Sequence, residues 1–225
     1  MKNKVHILNI LTFLCAMLCL IYYDSHRHII LKGITSAWFV LLAFINLFYA
    51  HKSNINKSII LFILIGLFLG MCADVFLWVS LIAGILFFAS GHFFYILAFF
   101  KLEKFSKNDL VIITVIAVVS ILIVFVSGFI QIIDPIVYVL LIGYTCIISI
   151  MLGKAFTNYF KLKSLSRLIM LIGCFMFWFS DLMLAFDMFG NVHEIVGQLC
   201  VYTYWPAQNI LAYSLFHYVN EKIAV

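Results

Sequence analysis

Charged side chains are scarce in this sequence. Lys, Arg, Asp and Glu make up 10% of its 225 residues, against about a quarter in an ordinary soluble domain. So thin a charged complement excludes a soluble globular protein and a disordered chain. The formal charge of +5 is spread over short loops and forms no patch, which excludes a nucleic-acid binder. Cys-x-x-Cys pairs are absent, and no His/Cys cluster has zinc-ligand spacing. The six cysteines (15, 19, 72, 146, 174 and 200) fall inside apolar runs, so neither a disulfide framework nor a metal site is expected. Proline occurs only twice, so little interrupts a helix. What is abundant is apolar surface: 66% of residues are apolar or aromatic, and the mean hydropathy is +1.19.

A membrane-crossing helix takes about 20 residues, so the length holds roughly seven to nine spans and no separate soluble domain. Apolar runs between charged or turn-forming breaks predict eight, near 5–23, 28–49, 58–79, 81–100, 109–130, 135–156, 164–188 and 194–218. The first resembles a signal peptide but lacks a small-residue cleavage site, and it reads as an uncleaved helix. The expectation is an all-α membrane protein, a single integral membrane domain over 1–225. Basic residues orient it. Lys2, Lys4, Lys52, Lys57, Lys101, Lys104, Lys107, Lys154, Lys161, Lys163, Arg167 and Lys222 lie on the side that holds both termini. Only Arg27 and Lys32 lie opposite, so N and C termini are expected in the cytoplasm.

Shifting the chain by 107 residues aligns Leu64–Leu77 with Leu171–Leu184, with six of fourteen positions identical. Apolar matches come cheaply in membrane helices; the coincidence of Gly66 with Gly173 and of Asp74 with Asp181 does not. The segments lie four spans apart and so run the same way. This predicts two four-helix halves related by a parallel internal repeat, with a site at their interface. Asp74 and Asp181 are the acids well inside apolar runs, and no Lys or Arg is expected beside them at depth. An ionisable group in hydrocarbon costs at least about 2.5–3.5 kcal/mol on insertion scales and marks a functional site by default. Both acids lie some 16–17 residues from the cytoplasmic ends of their helices, roughly 25 Å at the helical rise, so their depths match.

Other polar groups surround this pair in the sequence pattern. His92 and Tyr95 share a face of span four, and Tyr204 and Gln208 share a face of span eight. Asn209 lies beside them, and Asn46 sits deep in span two. Pro206 is expected to kink span eight where the opening faces protein or water. Two carboxyls in a low-dielectric pocket do not both ionise readily, which leaves an acid beside a carboxylate. That pair suits hydrolysis through a cationic transition state, intramembrane proteolysis or proton-coupled transport. The Gly-x-Gly-Asp signature of intramembrane aspartyl proteases is missing from both Met71-Cys-Ala-Asp74 and Trp178-Phe-Ser-Asp181. Matching Gly/Pro-broken helices that would mark a transporter midplane are missing too. A lipid-directed enzyme is the leading expectation; a proton-coupled lipid or small-molecule transporter and a non-catalytic lipid-binding protein stay open.

Gly70-Met-Cys-Ala-Asp-Val-Phe-Leu77, followed by Ala83-Gly-Ile-Leu-Phe-Phe-Ala-Ser-Gly-His-Phe-Phe-Tyr95, resembles the central motif of the lysoplasmalogenase-like (YhhN) family. Phe179-Ser-Asp-Leu-Met-Leu184 and Tyr204-Trp-Pro-Ala-Gln208 are similar to its C-terminal motifs, and Lys32 to its early lysine. The similarity runs from about residue 30 to 216. Two positions depart from the pattern: Ala73 stands where the family commonly has Gly, and Gly33 where it commonly has Pro. The resemblance implies hydrolysis of the vinyl ether bond of an alkenyl lysophospholipid to a fatty aldehyde and glycerophosphocholine or glycerophosphoethanolamine. On that basis Asp74 and Asp181 are the catalytic pair, with Asp181, in the more apolar context, as the acid. His92, Tyr95, Tyr204, Gln208, Asn46 and Asn209 would hold water and glycerol oxygens, and Lys32 would meet the phosphate or merely anchor its helix. No cofactor, metal, nucleic acid or protein partner is implied, and a bacterial inner membrane is the expected location.

Overall fold

A computed structural model describes residues 1–126, 128 and 130–224. Eight α-helices follow one another: α1 (Lys2–His26), α2 (Ile29–Lys52), α3 (Ser58–Phe76), α4 (Leu81–Leu102), α5 (Lys107–Ile121), α6 (Pro135–Lys161), α7 (Leu165–Phe189) and α8 (Ile195–Ile223). α5 continues into a wider π turn over Leu122–Val126. The helices lie over the eight apolar runs, mostly within a few residues; the run read to 130 includes residues 127 and 129, outside those described. Local chemistry fixes their starts. His28, Ser80 and Ser164 accept hydrogen bonds from the first free N–H groups of α2, α4 and α7. Asp134 does the same for α6, with Pro135 at the first helical position, and Ser106 with Asp109 makes a capping box on α5.

Among the described residues, seven helices are long and apolar enough to cross a membrane: α1–α4, α5 with its π turn, α6 and α7. The chain is a multi-pass membrane protein. α8 departs from the expectation of eight such helices. It is the longest, at 29 residues, but Gln208, Asn209, Ser214 and four Tyr residues keep it outside that class. It continues as a helix through Pro206. Its Trp205, Gln208, Asn209 and Ser214 are all buried. A helix with this composition is viable only inside the bundle, because lipid offers its side chains no hydrogen bonds.

Helix neighbours form a closed ring: α2 packs on α3, α3 on α4, α4 on α6, α6 on α7, α7 on α8, and α8 back on α2. α1 lies outside the ring against α2 and α8, and α5 lies outside against α6. α1 is held by a reciprocal amide pair, Asn9 with Asn46 at 2.9–3.0 Å, and Asn46 also donates to the Ala212 carbonyl of α8 at 3.1 Å. Asn46 thus clasps three helices together, away from both aspartates.

At the end of the bundle carrying the α4–α5 connection, ions that read as loop charges are structural. Lys154 and Asp109 are buried and pair at 2.9 Å, and Thr157 donates to the same carboxylate. Glu103 joins Arg167 at 2.9 Å and Lys161 at 2.6 Å. The Lys161 and Arg167 contacts hold its carboxyl below the usual glutamate range.

α3 and α4 approach most closely where Gly66 faces Gly91. A Cβ on Gly91 would lie 2.9 Å from the Gly66 carbonyl oxygen, backbone that cannot turn aside. Gly91→Ala should therefore destabilise the protein by about 1–3 kcal/mol, read as a lower midpoint in thermal unfolding in detergent. Gly143→Ala, where an added Cβ meets nothing within 4 Å, should leave the midpoint unchanged or slightly higher.

Candidate functional site

Lys32 and Ser36 are four residues apart on α2, so one face presents both toward the end of α3. Asp74 meets them there, two residues before the last residue of α3, Phe76. Its Oδ2 accepts hydrogen bonds from Ser36 Oγ at 2.5 Å and from the Tyr204 hydroxyl of α8 at 2.8 Å. Lys32 Nζ lies 3.5 Å from its Oδ1. Trp205 steadies the arrangement by donating its indole N–H to Ser36 Oγ at 3.1 Å. The Lys32 contact overturns the expectation that no cation accompanies the acids. Lys32 starts in the first turn of α2 beside the last turn of α3, and its long side chain spans the gap. It does not stand free as a helix anchor.

Asp181 lies on α7, eight residues before Phe189. Tyr144 of α6 donates to its Oδ2 at 2.5 Å, and His92 Nε2 of α4 stands 3.7 Å from the same oxygen. His92 Nε2 is also 2.8 Å from the Tyr144 hydroxyl. Because Tyr144 spends its proton on Asp181, its oxygen accepts from His92, which assigns the imidazole proton to Nε2. His92 Nδ1 is buried and has no hydrogen-bond partner among the described atoms.

A third chain of hydrogen bonds crosses the ring. The Tyr95 hydroxyl donates to Gln208 Oε1 at 2.8 Å, and Gln208 Nε2 donates to the Tyr204 hydroxyl at 3.4 Å. Gly70 makes room for it: a Cβ there would sit 2.8 Å from Gln208 Nε2. Between the two acids' partners stands Phe177, with its ring edge-on to His92 at 4.5 Å and to Tyr204 at 5.3 Å between centroids. Phe88 packs on the same pair, Phe177 and Tyr204.

The two aspartates differ in access. The Asp74 side chain is 2% exposed and that of Asp181 12%. Asp181 lines a cavity of about 60 Å3 at the α3–α4 end of the bundle, enclosed by Leu77, Ile85, Phe88, Tyr144 and Trp178 among others. Asp74 is not part of that wall. Phe88 is, so Asp74 sits behind Phe88 and Tyr204.

The structure therefore brings Asp74, Asp181, His92, Tyr95, Tyr204, Gln208 and Lys32 into one polar core. Asn46 is not among them, and Asn209 donates to the Trp205 carbonyl within α8 and reaches neither acid. Ser36, Tyr144 and Trp205 were missed. The four-residue step from Lys32 would have found Ser36. Tyr144 has no signal beyond being a polar aromatic within an apolar run. Among the described residues no three of His, Cys, Asp and Glu converge as a metal site would require.

Lys32→Met should leave Asp74 buried without its cation and lower unfolding stability by roughly 3 kcal/mol. Adding Asp74→Asn should restore most of the lost midpoint in a thermal melt. A single variant as stable as its parent would mean that the pair carries no charge. No curated protein and no solved structure matches the chain. The family model for the YhhN family matches residues 27–215, a stretch that contains every residue of the polar core, and the chain belongs to the YhhN family.

Proposed function

We propose that this protein is a membrane-embedded ether hydrolase, a lysoplasmalogenase, that cleaves the vinyl ether bond of alkenyl lysophospholipids. The observation that carries this reading is the unlike company of two buried carboxyls. Asp74 faces an ammonium and two hydroxyl donors, the company of a carboxylate. Asp181 faces a phenol and an imidazole N–H and opens on an apolar cavity, the company of a carboxyl that can keep a proton.

Vinyl ethers hydrolyse by proton addition to the outer alkene carbon. Asp181 gives that proton, and the inner carbon becomes an oxocarbenium ion. Water adds to that carbon and returns a proton to the Asp181 carboxylate, leaving a hemiacetal. The hemiacetal breaks its bond to the glycerol oxygen, which takes the hemiacetal proton, and a fatty aldehyde leaves. Tyr144 and His92 hold the Asp181 carboxylate in place through both proton transfers. Asp74 stays ionised beside Lys32. It positions Tyr204, and through it Gln208 and Tyr95, and sets a fixed negative charge behind the wall next to the developing cation. Water is the only co-reactant in this scheme.

The basic residues on the termini side favour N and C termini in the cytoplasm. The ring order supports two four-helix halves. Exchanging α2, α3 and α4 with α6, α7 and α8 maps the ring contacts onto themselves.

Incubation of detergent-purified protein with an alkenyl lysophospholipid, with products read by mass spectrometry, tests the proposal. The parent should release aldehyde and glycerophosphodiester. Asp181→Asn and Asp74→Asn should each lose at least about a hundredfold, and Tyr144→Phe about tenfold with an altered pH profile. A folded parent that makes no aldehyde would sink the enzyme reading. Accumulation of intact lipid in vesicles would favour the transporter.

A further inference from the structure

The ionic groups around the Asp181 cavity bear on which part of a lipid the site can recognise. Asp181 is the one charged residue in the cavity wall, and the remaining polar lining comes from Ser120, Tyr144 and Thr145. The three residues outside the described set, Ser127, Phe129 and Val225, carry no charged side chain. The basic residues assigned to this end of the bundle, Arg27 and Lys32, are both engaged. Arg27, just past the end of α1, pairs with Asp24 of that helix, and α1 packs on α2 and α8. Lys32 pairs with Asp74 behind the wall. His193 uses Nδ1 to accept from the start of α8. The N-terminus of α6, which would otherwise attract an anion, is occupied by the Asp134 carboxylate.

Exposed acids dominate the same end. Asp134 stands at the start of α6, Asp187 near the end of α7, and Glu194 before α8. Among the described residues, a phosphate near this mouth meets negative charge without a free cation.

Geometry sharpens the conflict. Asp181 lies eight residues inside the end of α7, which is about 12 Å at the helical rise. Only the three glycerol carbons separate a lipid's ether oxygen from its phosphate. A lipid seated for protonation by Asp181 draws its phosphate down beside Leu184 and Ala185, short of the exposed rim at Met188. Taking an unpaired phosphate out of water there is costly.

We infer that the site reads the alkenyl ether and its hydrocarbon chain and not the headgroup phosphate, so that 1-alkenylglycerols, which lack a phosphate, belong to its substrate class. The inference rests on the ether-hydrolase reading above. A lysophospholipid reacts only as far as its headgroup can stay at the wet mouth, whereas a neutral glycerol enters with hydroxyls alone. Tyr144 and Thr145 can meet those hydroxyls with hydrogen bonds.

The test compares three lipids of one chain length in micelles of an uncharged detergent: 1-alkenylglycerol, the alkenyl glycerophosphocholine, and the alkenyl glycerophosphate. Aldehyde release gives kcat/KM for each. The alkenylglycerol should be cleaved at least as fast as the phosphocholine lipid, and the glycerophosphate at least about tenfold more slowly than either. Met188→Lys, at the exposed rim of the cavity, should shift the ratio of glycerophosphate to alkenylglycerol upward by about tenfold. A phosphorylated lipid cleaved faster than the alkenylglycerol, or a ratio indifferent to Met188→Lys, overturns the inference and leaves the hydrolase standing. Release of aldehyde from none of the three lipids removes the hydrolase itself.

Discussion

A carboxyl group in hydrocarbon has to find its donors within the protein, and the arrangement of the ring helices follows from that requirement. Asp74 on α3 draws Ser36 and Lys32 from α2 and Tyr204 from α8. Asp181 on α7 draws Tyr144 from α6 and His92 from α4. Each acid is served by the helix preceding its own and by one more distant in the sequence, α8 for Asp74 and α4 for Asp181. α8 must then lie inside, because it supplies Tyr204 and Gln208, and its remaining polar residues are tolerated for the same reason. Magnitudes indicate that these acids are not there for stability. Each costs at least about 2.5–3.5 kcal/mol to insert, while an interhelical hydrogen bond in a membrane returns on average about 0.6 kcal/mol. Two or three such bonds do not recover the cost. Packing at close contacts such as Gly66 against Gly91 supplies the stability that the acids consume.

The two acids have acquired different environments. At Asp74, Lys32 stands 3.5 Å from the carboxyl, and Ser36 and Tyr204 donate to it. At Asp181 no cation of fixed charge is within ion-pair distance among the described residues; its neighbours are Tyr144 and His92. Local sequence explains part of the difference. α2 offers a lysine at the level of Asp74, whereas the residue 107 positions on from Lys32 is Val139, which has no proton to give. Pairs of carboxyls with divergent surroundings are how one site keeps an acid and a base at one pH.

Much of this was legible before the fold. The apolar runs locate the helices because a crossing helix needs some 20 apolar residues, a signal that survives any detail of packing. The coincidence of Asp74 with Asp181 under a 107-residue shift picked out the two acids. Interhelical contacts were not legible. Lys32 looked like an anchor because its partner lies 42 positions away on another helix, and Tyr144 looked like one aromatic among many. Asn46 misled in the opposite sense. A deep polar residue reads as functional, yet its amide is spent on Asn9 and on the α8 backbone. Lys154, counted with the basic residues of the termini side although it lies within the 135–156 run, is buried against Asp109 of α5, a contact between helices that no single run reveals.

On the proposed reading, the cavity next to Asp181 has to stabilise a cation without a second carboxylate in its wall. Its aromatic lining offers a means. Phe88, Tyr144 and Trp178 line the cavity together with Asp181, and an aromatic face attracts a desolvated cation by roughly 2 kcal/mol or more. Such rings do not compete with the alkene for the proton, as a second exposed carboxylate would. They also exclude the excess water that would hold Asp181 ionised before a lipid arrives. Sealing Asp74 behind Phe88 and Tyr204 therefore serves the acid: its negative charge is felt across the wall, while the proton stays with the one carboxyl that the hydrocarbon chain can reach.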